Sequence, residues 1–270
     1  MAAERVAFHR GFELSWRDVV RLEDQLLAFL LSRDLPVARR LLACRRLVHR
    51  FLDQASGAAS GTRVGVEPDE VLAGSASASA ASALSGLEGA LLRLLAATFL
   101  SATLPSFREL SVAGRLGVRL GNVSRRLRLA VGRGRVRLPG LEAAVPVAEV
   151  GAVSAQELSV PASAMLERYY VAKVASQGFF GANLFGRSFL AGVDFLASSY
   201  GAILWFARAH ALASGRGAVA AEDVDYAIRQ VDYGFNYVPA FGGRLDRLRA
   251  TFFRGWGTEE KLLLEGAREG

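Results

Sequence analysis

Arg187 to Ala213 reads RSFLAGVDFLASSYGAILWFARAHALA, and the fold turns on what buries that run. Phe189, Val193, Leu196, Tyr200, Ile203 and Ala207 recur at gaps of four and three, so in a helix they share one side. The opposite side carries Ala191, Gly192, Ala197, Ala202, Trp205 and Phe206. A helix apolar all round is packed on several sides. A bilayer is the competing environment, and charge placement argues against it. Asp194 and Arg208 bracket only Phe195 to Ala207, short of the ~20 apolar residues a span needs. The second apolar run, Leu87 to Leu104, is broken by Glu88 and Arg93, each costing roughly 2.5–3.5 kcal/mol at mid-bilayer. The reading is a mainly α chain with no membrane span: a multi-helix orthogonal bundle around a central buried helix. Any sheet is expected to be a small hairpin near residues 130–153.

Helices can be placed outward from that centre. Ser15 can cap a helix with Asp18 at its third position and Val19, Leu22, Leu26, Phe29 and Leu30 on one face, ending near Arg33. Asp34-Leu35-Pro36 turns the chain into a second helix striped by Val37, Leu41, Cys44, Val48 and Phe51. Cys44 reads as a small buried hydrophobe and His49, on the stripe's flank, as surface. Residues 56 to 85 are rich in Gly, Ser and Ala and read as a mobile connection or weak helix, with one turn opening at Pro68-Asp69-Glu70. Leu87 to Leu104 is a largely buried helix closed by Pro105. Pro161 opens a helix carrying Met165, Leu166, Tyr169, Tyr170 and Val174. Glu222 and Asp223 favour the start of another, striped by Val224, Ile228 and Val231. A last helix from Arg244 and a tail helix near Glu259 follow. The regions are residues 1–110, a helical hairpin plus apolar helix; 111–158, arginine-rich with short strands; and 159–270, helical and packed with the N-terminal helices.

The chain has 270 residues, 51% of them apolar, enough for a sizeable core. Its net charge is +7 and its pI about 10.1. Lysine occurs only at Lys173 and Lys261, so arginine supplies the other 31 of the 33 basic side chains. A single cysteine excludes an internal disulfide, and no signal-peptide pattern opens the chain, so the cytoplasm is the expected compartment.

The strongest electrostatic feature lies between Glu109 and Glu142, where no acidic residue occurs. Arg115, Arg119, Arg125, Arg126, Arg128, Arg133, Arg135 and Arg137 crowd into that interval. From Gly132 to Pro139 the pattern has period two, which in a strand sets the guanidinium groups of Arg133, Arg135 and Arg137 on one face. The segment reads first as a solvated rim that pairs with carboxylates such as Glu109, Glu142 and Glu149. As a functional element it is an anion site, for an acidic protein or a nucleic acid. Arg125, Arg126, Arg128, Arg133, Arg135 and Arg137 are its candidate residues. Nucleic acid is the less favoured ligand, because interleaved aromatics and groove-reading motifs are both missing.

No glycine fingerprint for phosphate, zinc-ligand spacing or Gly-x-Ser-x-Gly elbow appears. His9, His49 and His210 share no ligand spacing, so neither a metal nor any other cofactor is expected. Asp194 is the carboxylate that stands out, set in an apolar helix and expected to be exposed or ion-paired, to Arg187 or Lys173. Residues 179–186 and 232–243 read as aromatic loops flanking the central helix. They either close the core or wall an apolar pocket, whose candidates are Asp194, Phe180, Phe185, Tyr233, Phe235 and Tyr237.

Two pieces carry a family resemblance. Phe12-Glu13-Leu14-Ser15-Trp16-Arg17-Asp18-Val19 through Ser32-Arg33-Asp34-Leu35-Pro36, and Leu166-Glu167-Arg168-Tyr169-Tyr170 through Ala221-Glu222-Asp223-Val224 to Asp232, resemble the helical body of bacterial cysteine-cluster proteins related to the flagellin lysine-N-methylase. The resemblance spans about half the chain and rests on patterning. Such relatives hold a metal centre in a cysteine-rich cluster. Here only Cys44 exists, so neither a metal site nor a methyl-transfer site carries over to any residue. The expected function is a non-enzymatic, soluble helical module that binds a protein partner or serves as a scaffold. The resemblance alone implies the alternative, an S-adenosylmethionine-dependent protein lysine methyltransferase or a subunit of one.

Overall fold

The computed structural model describes residues 5–9, 11–57, 68–76, 86–100, 124, 127–155, 158–237, 260 and 263. It is mainly helical, with two small antiparallel hairpins. Helix α1 (Trp16–Leu31) begins where Ser15 accepts a hydrogen bond from the Asp18 amide at 3.2 Å, and Val19, Leu22, Leu26, Phe29 and Leu30 are all buried. Helix α2 (Val37–Gly57) buries Val37, Leu41, Cys44 and Val48. The Cys44 thiol faces the Leu26 carbonyl at 3.6 Å, and burial pushes its pKa up. It is an inert core group.

Helix α3 (Pro68–Ala76) opens at the predicted proline. Its last carbonyls are taken by arginines of α2: Arg46 donates to Gly74 O and Arg39 to Ser75 O, each at 3.0 Å. Side-chain donors thus satisfy acceptors that a helix end leaves orphaned. Helix α4 (Gly86–Leu100) is buried from Leu95 onward. The Ser101 to Leu104 end of the expected helix, its stop at Pro105 and the helix from Arg244 fall outside the described residues.

Helix α5 (Val160–Ala175) has Ser159 as its cap and Pro161 in its first turn. Its buried stripe is Ala162, Leu166, Tyr170 and Val174. The central helix α6 (Phe189–Ala213) is capped by Ser188, and every residue from 192 through 207 is buried. It is the one described helix long and apolar enough to cross a membrane, and 94% of that apolar window lies inside the fold. Helix α7 (Ala221–Tyr237), α2, α4 and the N-terminal segment Arg5–His9 pack around it. One continuous cluster runs from Phe8 to Leu263, so the two ends of the chain share a core.

Strands β3 (Arg135–Arg137) and β4 (Ala144–Pro146) form the hairpin expected near residues 130–153. A second hairpin was not foreseen: β1 (Arg5–His9) with β2 (Phe12–Ser15). Gly11, at φ +84°, lies in its turn. Phe8 is wholly buried, 5.8 Å from Phe189 and 5.5 Å from Phe51 between ring centres, so the hairpin covers the first turn of α6. A further correction concerns the second aromatic loop. Helix α7 continues through Tyr237, so positions 233, 235 and 237 are helical.

The first turn of α6 meets the preceding loop backbone to backbone at Gly192. An ideal Cβ there would sit 2.0 Å from the Phe179 carbonyl oxygen. No rotamer change relieves a clash with main chain. Gly192→Ala is therefore expected to cost about 3 kcal/mol in urea unfolding, the upper end for an overpacked core. Gly151→Ala, where a Cβ meets open space, serves as control and is expected to stay within about 0.5 kcal/mol of the wild type.

Candidate functional site

The arginine hairpin is a seated element. Its inward residues Val136, Leu138, Val145, Val147 and Val150 are buried, and the 3-10 turn Val147–Ala152 packs on α6. From buried α4, Arg93 reaches the helical turn at 127–131 and donates to Leu129 O at 3.0 Å and to Ala130 O at 2.9 Å. Its guanidinium lies against Gly132, whose φ of +75° bends the chain out of that turn. Burial lowers the Arg93 pKa. From α7, the Tyr226 hydroxyl donates to Pro139 O at 2.8 Å. Ser154 closes the far side, its amide donating to Gly217 O and its carbonyl accepting from the Val219 amide, both at 2.9 Å.

On this support the outward face is cationic. Arg135 and Arg137 flank buried Val136 on β3 and are exposed. Arg133 is exposed in the bend just before the strand. The three do not share one strand face, because Gly134 at φ +83° ends the extended pattern there. Arg128 is exposed and donates to Ser124 Oγ at 3.1 Å, and Arg135 donates to Ala144 O at 2.5 Å. Among the described residues none of these four guanidinium groups has an ion-pair partner. Glu142 and Glu149 are exposed without pairing with them. Among the described residues, the pairing with Glu142 and Glu149 expected from the sequence does not form. Glu109, Arg115, Arg119, Arg125 and Arg126 lie outside the described residues. Guanidinium forks with open donors suit carboxylate or phosphate.

Asp194 sits elsewhere, on α6, with only 5% of its side chain exposed. Two residues of α2 meet it: His49 Nε2 at 2.7 Å and Arg45 Nε at 3.3 Å, both on Oδ1. Arg45 continues to Glu260 at 3.2 Å, and Arg46 reaches the same carboxylate at 3.1 Å. His49, expected at the surface, is half-buried in this network. Lys173 pairs with Asp232 at 2.6 Å. A second network joins α6 to α7. Asp223, wholly buried, accepts from His210, Arg216 and the Ala220 amide, while His210 stacks on Tyr226 at 4.3 Å between ring centres. The amide contact is the backward half of a capping box.

The pocket candidates whose side chains are described stand in different surroundings. Phe180 is buried against Phe179 and Phe189 in core packing, whereas Phe185 and Tyr233 are each more than 40% exposed. Phe235 and Tyr237 lie in the last turn of α7. The aromatic segment at 179–186 closes the core, the role of its buried rings. Among the described residues no three His, Cys, Asp or Glu side chains converge as a metal site would require. Comparison with protein-family models, with curated proteins and with solved structures returns no match.

One buried carboxylate has no function in these networks. Glu23 accepts from Gln177 Nε2 at 3.0 Å on one oxygen, and among the described residues its other oxygen meets no donor. Gln177 holds φ at +54°, the left-handed residue that ends α5. Burial raises the Glu23 pKa, against the lowering effect of Gln177. Between the ordinary glutamate pKa and this raised one, the native chain binds more protons than the unfolded chain. Stability therefore falls as pH rises through that window. Glu23→Gln is expected to match the wild type near about pH 3 and to exceed it by about 1 kcal/mol near about pH 8, the low end of the cost of an unsatisfied buried group. Urea titrations at both pH values check this; a wild type that gains on the variant as pH rises contradicts it.

Proposed function

We propose that this chain is a non-enzymatic helical module that binds an anionic partner through the β3–β4 hairpin. The observation that carries the reading is the exposed set Arg128, Arg133, Arg135 and Arg137, without ion pairs to described carboxylates, on the hairpin held by Tyr226 and on the turn and bend just before it, held by Arg93. Like charges gathered on a fixed surface repel one another, a standing cost that an anionic partner relieves. The buried ion networks of Asp194 and Asp223 read as structural, since each charge is met by partners from a neighbouring helix or turn.

A protein partner suits this face better than a nucleic acid. No aromatic residue occurs from 127 to 146 on which a base could stack. The guanidinium plane instead matches a carboxylate through two parallel hydrogen bonds.

Binding of labelled poly-glutamate at low and physiological salt tests the reading. Replacing Arg133, Arg135 and Arg137 together by Gln is expected to weaken binding at least tenfold, with thermal unfolding unchanged because these side chains are exposed. Wild-type affinity is expected to fall as salt rises. A triple variant that binds as the wild type does would overturn the assignment.

A further inference from the structure

The helical turn at 127–131, immediately before the arginine hairpin, shows two aliphatic side chains to solvent. Leu127 is 60% exposed and Val131 62%. Four residues apart, they lie on one side of that turn. Arg128 is exposed between them in sequence, and Arg133 follows one bend later. Arg93 holds the turn from below through Leu129 O and Ala130 O, so the exposed pair projects from a fixed support. An apolar pair beside unpaired guanidinium groups is the complement of a ligand that alternates carboxylates with aliphatic side chains.

On the reading that the hairpin binds an anionic partner, we propose that the partner is an acidic amphipathic protein segment. Its carboxylates engage Arg128, Arg133, Arg135 and Arg137, and its aliphatic residues cover Leu127 and Val131. Charge complementarity sets the composition, and spacing sets the form: a pair at i and i+4 matches leucines repeating at three and four along a helix. Glu142 in the hairpin loop and Glu149 in the 3-10 turn that follows β4 are also exposed. They oppose a uniformly anionic surface such as a lipid bilayer, and they fix the register of a discrete segment by repelling misplaced carboxylates. Two aliphatic side chains without an aromatic companion also give a bilayer little to hold.

The test uses the full chain and two synthetic helical peptides. In one, leucines recur at three and four among glutamates; in the other, serines replace the leucines. Fluorescence anisotropy is read for wild type, for Leu127→Ser with Val131→Ser, and for the triple Arg-to-Gln variant. Wild type is expected to bind the leucine peptide at least tenfold more tightly than the serine peptide. The Leu127 and Val131 variant is expected to lose that preference while keeping its affinity for the serine peptide. The arginine variant is expected to bind both weakly. Equal wild-type affinity for the two peptides, or an unchanged preference in the Leu127 and Val131 variant, overturns the amphipathic partner and leaves the anion face standing. Unchanged binding by the arginine variant overturns both. Vesicles of mixed phosphatidylglycerol and phosphatidylcholine form the third arm; retention on them through Leu127 and Val131, without binding to the leucine peptide, assigns the face to lipid and overturns the proposal.

Discussion

Asp194 brings a carboxylate into a helix whose residues are buried without a break from 192 through 207, and the packing of α2 on α6 answers it. Leaving a charge of that kind unmet inside a protein costs several kcal/mol. Arg45 and His49, one turn apart on α2, converge on its Oδ1. That convergence fixes the rotation of α2 about its own axis as well as its height along α6. Once α2 is set, its other arginines set the rest. Arg40, buried, donates to Leu30 O at the end of α1 and pairs with Glu167 of α5 at 2.6 Å. Arg39 and Arg46 close the end of α3.

The same residue type works in two regimes here. Arg40, Arg45 and Arg93 are drawn into the structure, where each fork binds carbonyls or carboxylates of a neighbouring element. A lysine could not replace them, since one ammonium cannot span acceptors set at a planar angle. Arg135 and Arg137 stand exposed on a hairpin whose valines are buried, and Arg133 is exposed in the bend before it. A composition dominated by arginine does not separate the regimes; the second acceptor within reach of each fork does.

The stripe of Phe189, Val193, Leu196, Tyr200, Ile203 and Ala207 makes the central helix legible, and Ser15 and Pro161 mark helix starts because capping chemistry is local. The N-terminal hairpin is not legible in the same way, although Val6, Phe8, Phe12 and Leu14 flank Gly11. Its strands are too short for period two to speak clearly, and what holds it is Phe8 stacking on Phe189, a contact distant in sequence. Around Tyr233 the clustered aromatics and glycines suggest a loop where the chain is helical. Helix α7 absorbs Gly234 because a Cβ at that position would meet the Phe99 ring at 2.4 Å, so close packing against α4 requires the glycine. The partners of Asp194 are not legible either. Arg45 and His49 precede it by more than a hundred residues, and no local pattern encodes a pairing of that range. At the candidate docking face the arginine cluster is plain in the sequence. The lack of ion pairs among its described members is not, because pairing depends on where Glu142 and Glu149 point.

A double-mutant cycle on Arg45 and Asp194 tests most directly whether their pairing sets the packing of α2 on α6. Arg45→Met and Asp194→Asn are each expected to lower unfolding free energy by about 1.5–3 kcal/mol, since each removes a charged hydrogen bond at a buried position and leaves Asp194 with His49 alone or Arg45 with Glu260 alone. The double variant is expected to cost less than the two singles together by about 1–3 kcal/mol. Single losses below about 0.5 kcal/mol that simply add would contradict the account.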